Sequence, residues 1–217
     1  MSKKYIREAC VEGLGQALAA QKQGADRIEL CANLSEDGLT PEIDVIMAAS
    51  EQLDIPIRVM IRPRAGDFVY SKEEIQEMIA SIEICKSLRV EGVVFGVVKQ
   101  DGQPDLELVR QLCDAAGDLK TVFHKAIEEA PDLPAAAQAV FQDTPVDAIL
   151  TAGGEGKATD NLPVLRKLLD IADQKELVAC GKITDENLTR IHEALGANSY
   201  HGKKIVGTLP DPETESS

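Results

Sequence analysis

Tryptophan is absent from the 217 residues, and Phe and Tyr together make up only 3% of them. A core built from this chain has to be aliphatic. With 44% hydrophobic residues there is enough Ala, Val, Ile and Leu to build a substantial one. Basic residues are also short: 23 Lys and Arg stand against 37 Asp and Glu, a formal charge of −14. Nucleic acids and anionic membranes are held by clustered Lys and Arg, so neither is an expected partner. No apolar run is long enough to span a bilayer, and Met1-Ser-Lys-Lys-Tyr-Ile6 lacks the apolar stretch of an export signal. The five cysteines (Cys10, Cys31, Cys85, Cys113, Cys180) are odd in number and contain no Cys-x-x-Cys pair, so no disulfide framework is legible. Reduced thiols in a cytoplasmic protein are the expectation.

What is present is an alternation of short apolar runs with amphipathic helical runs. Strands are expected at Tyr5–Val11, Arg27–Cys31, Ile57–Arg62, Gly92–Val97, Lys120–His124, Ala148–Thr151, Glu176–Cys180 and Asn198–His201. Helices are expected at Leu14–Gln23, Pro41–Leu53, Lys72–Leu88, Leu106–Ala116, Leu133–Phe141, Leu162–Ala172 and Asp185–Leu195. Thr40-Pro41, Ser71 and Thr184-Asp185-Glu186 read as helix starts, and Gly24, Gly117 and Gly196 fall near helix ends. Repeated βα units with short connections imply parallel strands. Eight of them suggest an α/β fold closed into a barrel, because no Gly-rich dinucleotide loop follows the first strand, as an open doubly wound sheet would favour. Only Gly202–Ser217 follow His201, so an eighth helix should be missing or very short. A single barrel domain over residues 1–207 is expected, with an acidic, disordered tail over 208–217. Thin cover between the last and first strands would leave apolar wall exposed, which predicts a homo-oligomer, most simply a dimer.

Alternate residues of a strand face opposite ways. If Ile28 and Leu30 face the helices, Glu29 and Cys31 face the barrel interior, and Glu8 and Cys10 do the same on the first strand. Glu-x-Cys thus occurs twice on strands expected to be neighbours, about 4.8 Å apart. Two thiols at similar height could share a soft metal ion, Cu(I) or Zn(II); a buried Cys can equally be a small hydrophobe. Cys85 and Cys113 lie on helices as packing residues. Arg58, Met60 and Arg62 share one alternation, and Arg58 and Arg62 are the expected partners of Glu8 and Glu29. Arg62 and Arg64, in Ile61-Arg-Pro-Arg-Ala-Gly-Asp-Phe68, could hold a carboxylate or phosphate. His124 and His201 end strands where barrel enzymes place their chemistry, and His124 could serve as acid–base or metal ligand. His192, mid-helix, is expected to be exposed. Thr151-Ala-Gly-Gly154 should be flexible enough to admit a ligand.

These residues resemble the CutC copper homeostasis family. The matching segments are Gly24-Ala-Asp-Arg-Ile-Glu-Leu-Cys31, Gly38-Leu-Thr-Pro41, Val59-Met-Ile-Arg-Pro-Arg64 with Gly66-Asp-Phe-Val-Tyr70, Glu91-Gly-Val-Val-Phe-Gly96, Phe123-His-Lys-Ala126 and Ile149-Leu-Thr151. The resemblance implies a TIM barrel, a cytoplasmic location and a role linked to copper, with Cys10 and Cys31 as the copper-binding pair. The chain departs from the family's pattern at Ala65, at Lys125, and at Val178-Ala-Cys-Gly-Lys182, where a glycine run is replaced. That last change brings Cys180 and Lys182 near the site.

Two functions of different class follow. One is a copper homeostasis protein binding Cu(I) through Cys10 and Cys31. The other is an enzyme acting on a small anionic metabolite, carboxylated or phosphorylated, with Arg62 and Arg64 as anchors and His124 and Glu29 as catalytic groups.

Overall fold

The computed structural model describes residues 5–211. Eight parallel strands close into a barrel in chain order: β1 (Ile6–Glu12), β2 (Arg27–Cys31), β3 (Ile57–Met60), β4 (Gly92–Phe95), β5 (Lys120–Phe123), β6 (Ala148–Thr151), β7 (Glu176–Ala179) and β8 (Ser199–Gly202). Seven helices connect them among the described residues: α1 (Gly13–Lys22), α2 (Ile43–Gln52), α3 (Lys72–Lys86), α4 (Leu106–Ala116), α5 (Leu133–Asp143), α6 (Leu162–Ala172) and α7 (Leu188–Leu195).

Strand alternation sorts the core into two sets. Ala9, Ile28, Leu30, Val59, Val93 and Ile149 face outward and pack beneath the helices. Cys10, Cys31, Met60, Val94, Val122, Leu150 and Val178 fill the barrel interior. Beta-branched and aliphatic residues suit strands buried on both faces, which is how the chain manages with so few aromatics.

The helix starts follow local hydrogen bonding. Ser71 caps α3 as expected: its hydroxyl accepts from the Glu74 amide at 3.2 Å while the Glu74 carboxylate accepts from the Ser71 amide at 2.7 Å. The other two starts differ. Thr40 accepts the Arg62 amide (2.8 Å), tying the β2–α2 connection to the exit of β3, and α2 begins only after Glu42. At Thr184-Asp185-Glu186 the chain turns instead of coiling. The Asn187 side chain accepts from the Thr184 amide and donates to the Lys182 carbonyl, so α7 starts at Leu188.

No eighth helix occurs among the described residues, yet the wall between β8 and β1 is covered, contrary to expectation. Ile205 and Val206 are buried and Leu209 packs on the core. Gln16 and Gln23 of α1 donate to the carbonyls of Pro210 (2.8 Å) and Thr208 (3.2 Å). Thr208–Asp211 therefore run along α1; the rest of the expected tail, residues 212–217, lies outside the described residues. His192 is also not free in solvent. Its ring packs on Tyr5 and Tyr200, with Nδ1 3.0 Å from the Tyr200 hydroxyl. Among the described residues the large exposed hydrophobics are Ile43 and Met47 on α2.

The N-terminal end of the barrel is closed by ion pairs. Arg27 and Arg58, each 3% exposed, both reach the Glu8 carboxylate (2.5 and 3.5 Å) and Glu176 (2.7 and 2.6 Å), and Arg58 also pairs with Glu91 at 2.9 Å. Arg58 is thus a partner of Glu8 as expected. Arg27, whose parity matches Glu29 and Cys31, is the one that sequence reasoning passed over.

Candidate metal centre at the barrel interior

The register between β1 and β2 places Cys10 opposite Glu29 and Glu12 opposite Cys31. The two cysteines are therefore diagonal neighbours on one face, with the Glu29 carboxylate between them. One ligand atom from each of Cys10, Glu29 and Cys31 lies within 4.8 Å of the others, and all three residues are buried. The Cys31 thiol points at Glu29 Oε2, 3.6 Å away. Across the seam, β8 sets His201 opposite Glu8. His201 Nδ1 is 2.8 Å from Glu8 Oε1 and Nε2 is 3.7 Å from Glu29 Oε2. Glu8, Glu29 and His201 form a second group of that kind, sharing Glu29 with the first. Gly38 closes over Cys31: its φ of +91° suits glycine, and a Cβ there would stand 3.2 Å from the Cys31 sulfur.

Charge is divided unevenly across these groups. Burial alone would raise Glu8, but Arg27, then His201 and Arg58, outweigh it and hold the carboxylate well below the ordinary range. Glu29 has no arginine among its salt-bridge partners in the described residues. Burial, helped by Cys10 and Glu8, lifts it to about 8 despite His201. Its Oε1 is buried without a hydrogen bond. The two thiols are shifted in opposite directions. The Cys31 hydrogen bond, aided by His201, pushes Cys10 well below its usual range against the cost of burial, while the same bond and burial push Cys31 well above. His201 is pushed up by Glu29, Cys10 and Glu8 against burial. The cluster thus sets one thiol pushed down beside a thiol, a carboxyl and an imidazole that are all pushed up.

The residues expected to hold an anion are placed otherwise. Arg62 is 5% exposed and does not reach Glu29. Its Nη atoms donate to the carbonyls of Glu36 (2.6 Å), Gly38 (3.1 Å) and Gly66 (2.9 Å). The partnership expected between Arg62 and the interior glutamates is thereby corrected: Arg62 organises two loops. Arg64 is engaged by Glu74 (2.5 Å), Asp67 (3.0 Å) and the Val69 carbonyl (2.8 Å), and lies over the Tyr70 ring. His124 lies against Phe68, its ring centroid 5.0 Å away, and its Nδ1 accepts the Ala126 amide at 3.1 Å. Burial, then Arg62, pushes His124 down to about 3. The Thr151–Gly154 turn is fixed rather than loose. Glu128 accepts from the Thr151 hydroxyl and the Ala152 amide (2.7 and 2.6 Å), and Gly153 donates to Thr151 Oγ1.

Cys180 belongs to the same interior cluster as Cys10 and Cys31, and burial raises its thiol to about 12. Lys182 is exposed. Cys85 and Cys113 are buried on helices, both raised to about 11 by burial.

Fold and site together define a (β/α)8 barrel whose interior holds a compact cluster of thiols and carboxyls. The chain belongs to the CutC family, whose profile matches residues 5–206. It is 39% identical over 198 residues to the human protein named copper homeostasis protein cutC homolog, spanning 91% of this chain and 72% of that one. The crystal structure of CutC from Streptococcus agalactiae superposes with a TM-score of 0.87 at 31% identity, covering 93% of this chain and 99% of that one. Phosphoribosyl anthranilate isomerase from Thermococcus kodakaraensis superposes at a TM-score of 0.59 with 16% identity over 93% and 94% of the two chains, a likeness of fold alone.

Proposed function

We propose that this chain is a cytosolic copper homeostasis protein that binds one Cu(I) ion between the sulfurs of Cys10 and Cys31. The observation that carries the reading is the placement of both sulfurs and a Glu29 oxygen within 4.8 Å of one another in a buried interior. Two metal–sulfur bonds of about 2.3 Å span at most about 4.6 Å, so sulfurs no more than 4.8 Å apart are within reach of one shared ion. Thiolates select soft ions, Cu(I) among them. Metal binding displaces thiol protons, and Cys10, the thiol pushed down, is the easier of the two to ionise. The orphaned Glu29 Oε1 offers a further acceptor beside the ion. The name of the human relative, copper homeostasis protein, supports the same ion.

The alternative, an enzyme on a small anionic metabolite, has less support. Arg64 is occupied by Asp67 and Glu74. Burial and Arg62 push His124 down to about 3, far from the neutral range in which an acid–base group works best.

Anaerobic Cu(I) titration tests the copper reading. One ion per chain is expected for the wild type and none for the Cys10→Ser/Cys31→Ser double variant. Equal stoichiometry in the two proteins would end it.

A further inference from the structure

The two ring nitrogens of His201 keep different company. Nδ1 lies 2.8 Å from Glu8 Oε1, while the other oxygen of Glu8 is anchored by Arg27 (2.5 Å) and Arg58 (3.5 Å). A nitrogen that faces a buried carboxylate at this distance carries a proton for it. Nε2 turns the other way, 3.7 Å from Glu29 Oε2. The ring also hydrogen-bonds the Cys10 thiol. Strand register accounts for this placement. β8 sets His201 opposite Glu8, and Cys10 is two residues further along β1 on the same face. Cys10 therefore has Cys31 beside it on the β2 side and the imidazole on the β8 side. The His201 side chain is 12% exposed, so the ring borders the open end of the cluster rather than its sealed floor.

We propose that His201 Nε2 is the third ligand of the Cu(I) site, completing a trigonal set with the Cys10 and Cys31 sulfurs. The inference rests on the copper reading above and adds a residue to that site. A metal-binding imidazole ordinarily donates its other N–H to a carboxylate, which fixes the tautomer and aims the ring. His201 and Glu8 already stand in that relation. Imidazole nitrogen suits copper, whereas the Glu29 carboxylate is a harder donor. On loading, Cu(I) takes the Nε2 lone pair, any proton on that atom passes to solvent, and the Nδ1 proton stays with Glu8. The competing third donor is the Met60 thioether, which lines the same interior cluster. A site made of the two sulfurs alone needs neither.

The test uses the full chain loaded anaerobically with one Cu(I). X-ray absorption of the wild type should show three-coordinate copper with two sulfurs and one imidazole nitrogen. In ¹⁵N-histidine-labelled protein the Nε2 resonance of His201 should move on loading, with Nδ1 still protonated, while those of His124 and His192 stay in place. His201→Gln keeps a donor for Glu8 but offers no imidazole. It should still bind one Cu(I) through the two sulfurs, as two-coordinate copper, with affinity lowered at least about tenfold. Two-coordinate copper in the wild type, three sulfurs around the ion, or an unmoved His201 Nε2 would each overturn the proposal and leave the two-cysteine reading intact. Equal affinity in His201→Gln would do the same. A wild type that binds no Cu(I) would overturn both. The spectra of the wild type decide the matter even if His201→Gln does not fold.

Discussion

Gly96 and His124 compete for one volume. A Cβ on residue 96 would lie 2.4 Å from the imidazole Nδ1 and 2.8 Å from the Ala126 Cβ. Gly96→Ala is therefore an overpacking change, and such changes cost about 1–3 kcal/mol. In a chain of this size each kcal/mol lowers the melting temperature by about 2–4 °C. A thermal melt of Gly96→Ala at or above the wild-type midpoint would show that the imidazole has room to move.

Glu8→Gln should be the most destabilising single change at the floor of the barrel. The carboxylate is 2% exposed and shared by Arg27, Arg58 and His201. Removing its charge leaves buried cations short of their partner, a loss of about 3 kcal/mol or more. The urea midpoint at neutral pH measures it, and a midpoint unchanged from wild type would contradict the account.

Acid should separate His124→Gln from the wild type. The ordinary imidazole value is 6.5 and the folded one is about 3, so below pH 6.5 the unfolded chain takes up a proton that the folded chain refuses. Stability at this site is full above pH 6.5 and falls as the pH drops toward 3, by up to about 1.4 kcal/mol per pH unit. Glu29 runs the opposite way. Raised from 4.5 to about 8, it holds its proton in the folded state, and its contribution falls as pH rises across that interval. The wild-type profile between pH 4.5 and 6.5 is thus the difference of two slopes. Subtracting the His124→Gln profile isolates one of them, and parallel profiles would mean that the imidazole titrates normally.

Cys180→Ser should keep the Cu(I) stoichiometry of the wild type. The Cys180 sulfur belongs to the interior cluster, but the compact group of ligand atoms is Cys10, Glu29 and Cys31. Loss of the bound ion in this variant, measured by anaerobic titration, would make Cys180 a ligand and redraw the site.

Strand alternation was sufficient to turn Glu8, Cys10, Glu29 and Cys31 inward and to read eight parallel strands as a barrel. It could not supply the stagger between β1 and β2, which sets Cys10 against Glu29 and leaves the thiols diagonal. Arg27 pairs with Glu176 of β7, 149 residues away, and no local pattern carries a contact of that range. Arg62 was read as an anion holder because two arginines flank a proline. Its Nη partners are backbone carbonyls, which every residue has and which leave no mark in a sequence. The same limit applies to His192, whose neighbours Tyr5 and Tyr200 meet only where the barrel closes.

The ionic floor made by Glu8, Arg27, Arg58 and Glu176 turns the barrel into a cup rather than a pipe. Whatever reaches Cys10 must enter past the upper rim, where Cys31 and Gly38 stand, and must leave by the same route. On the copper reading proposed above, loading and release would use the same opening, one after the other.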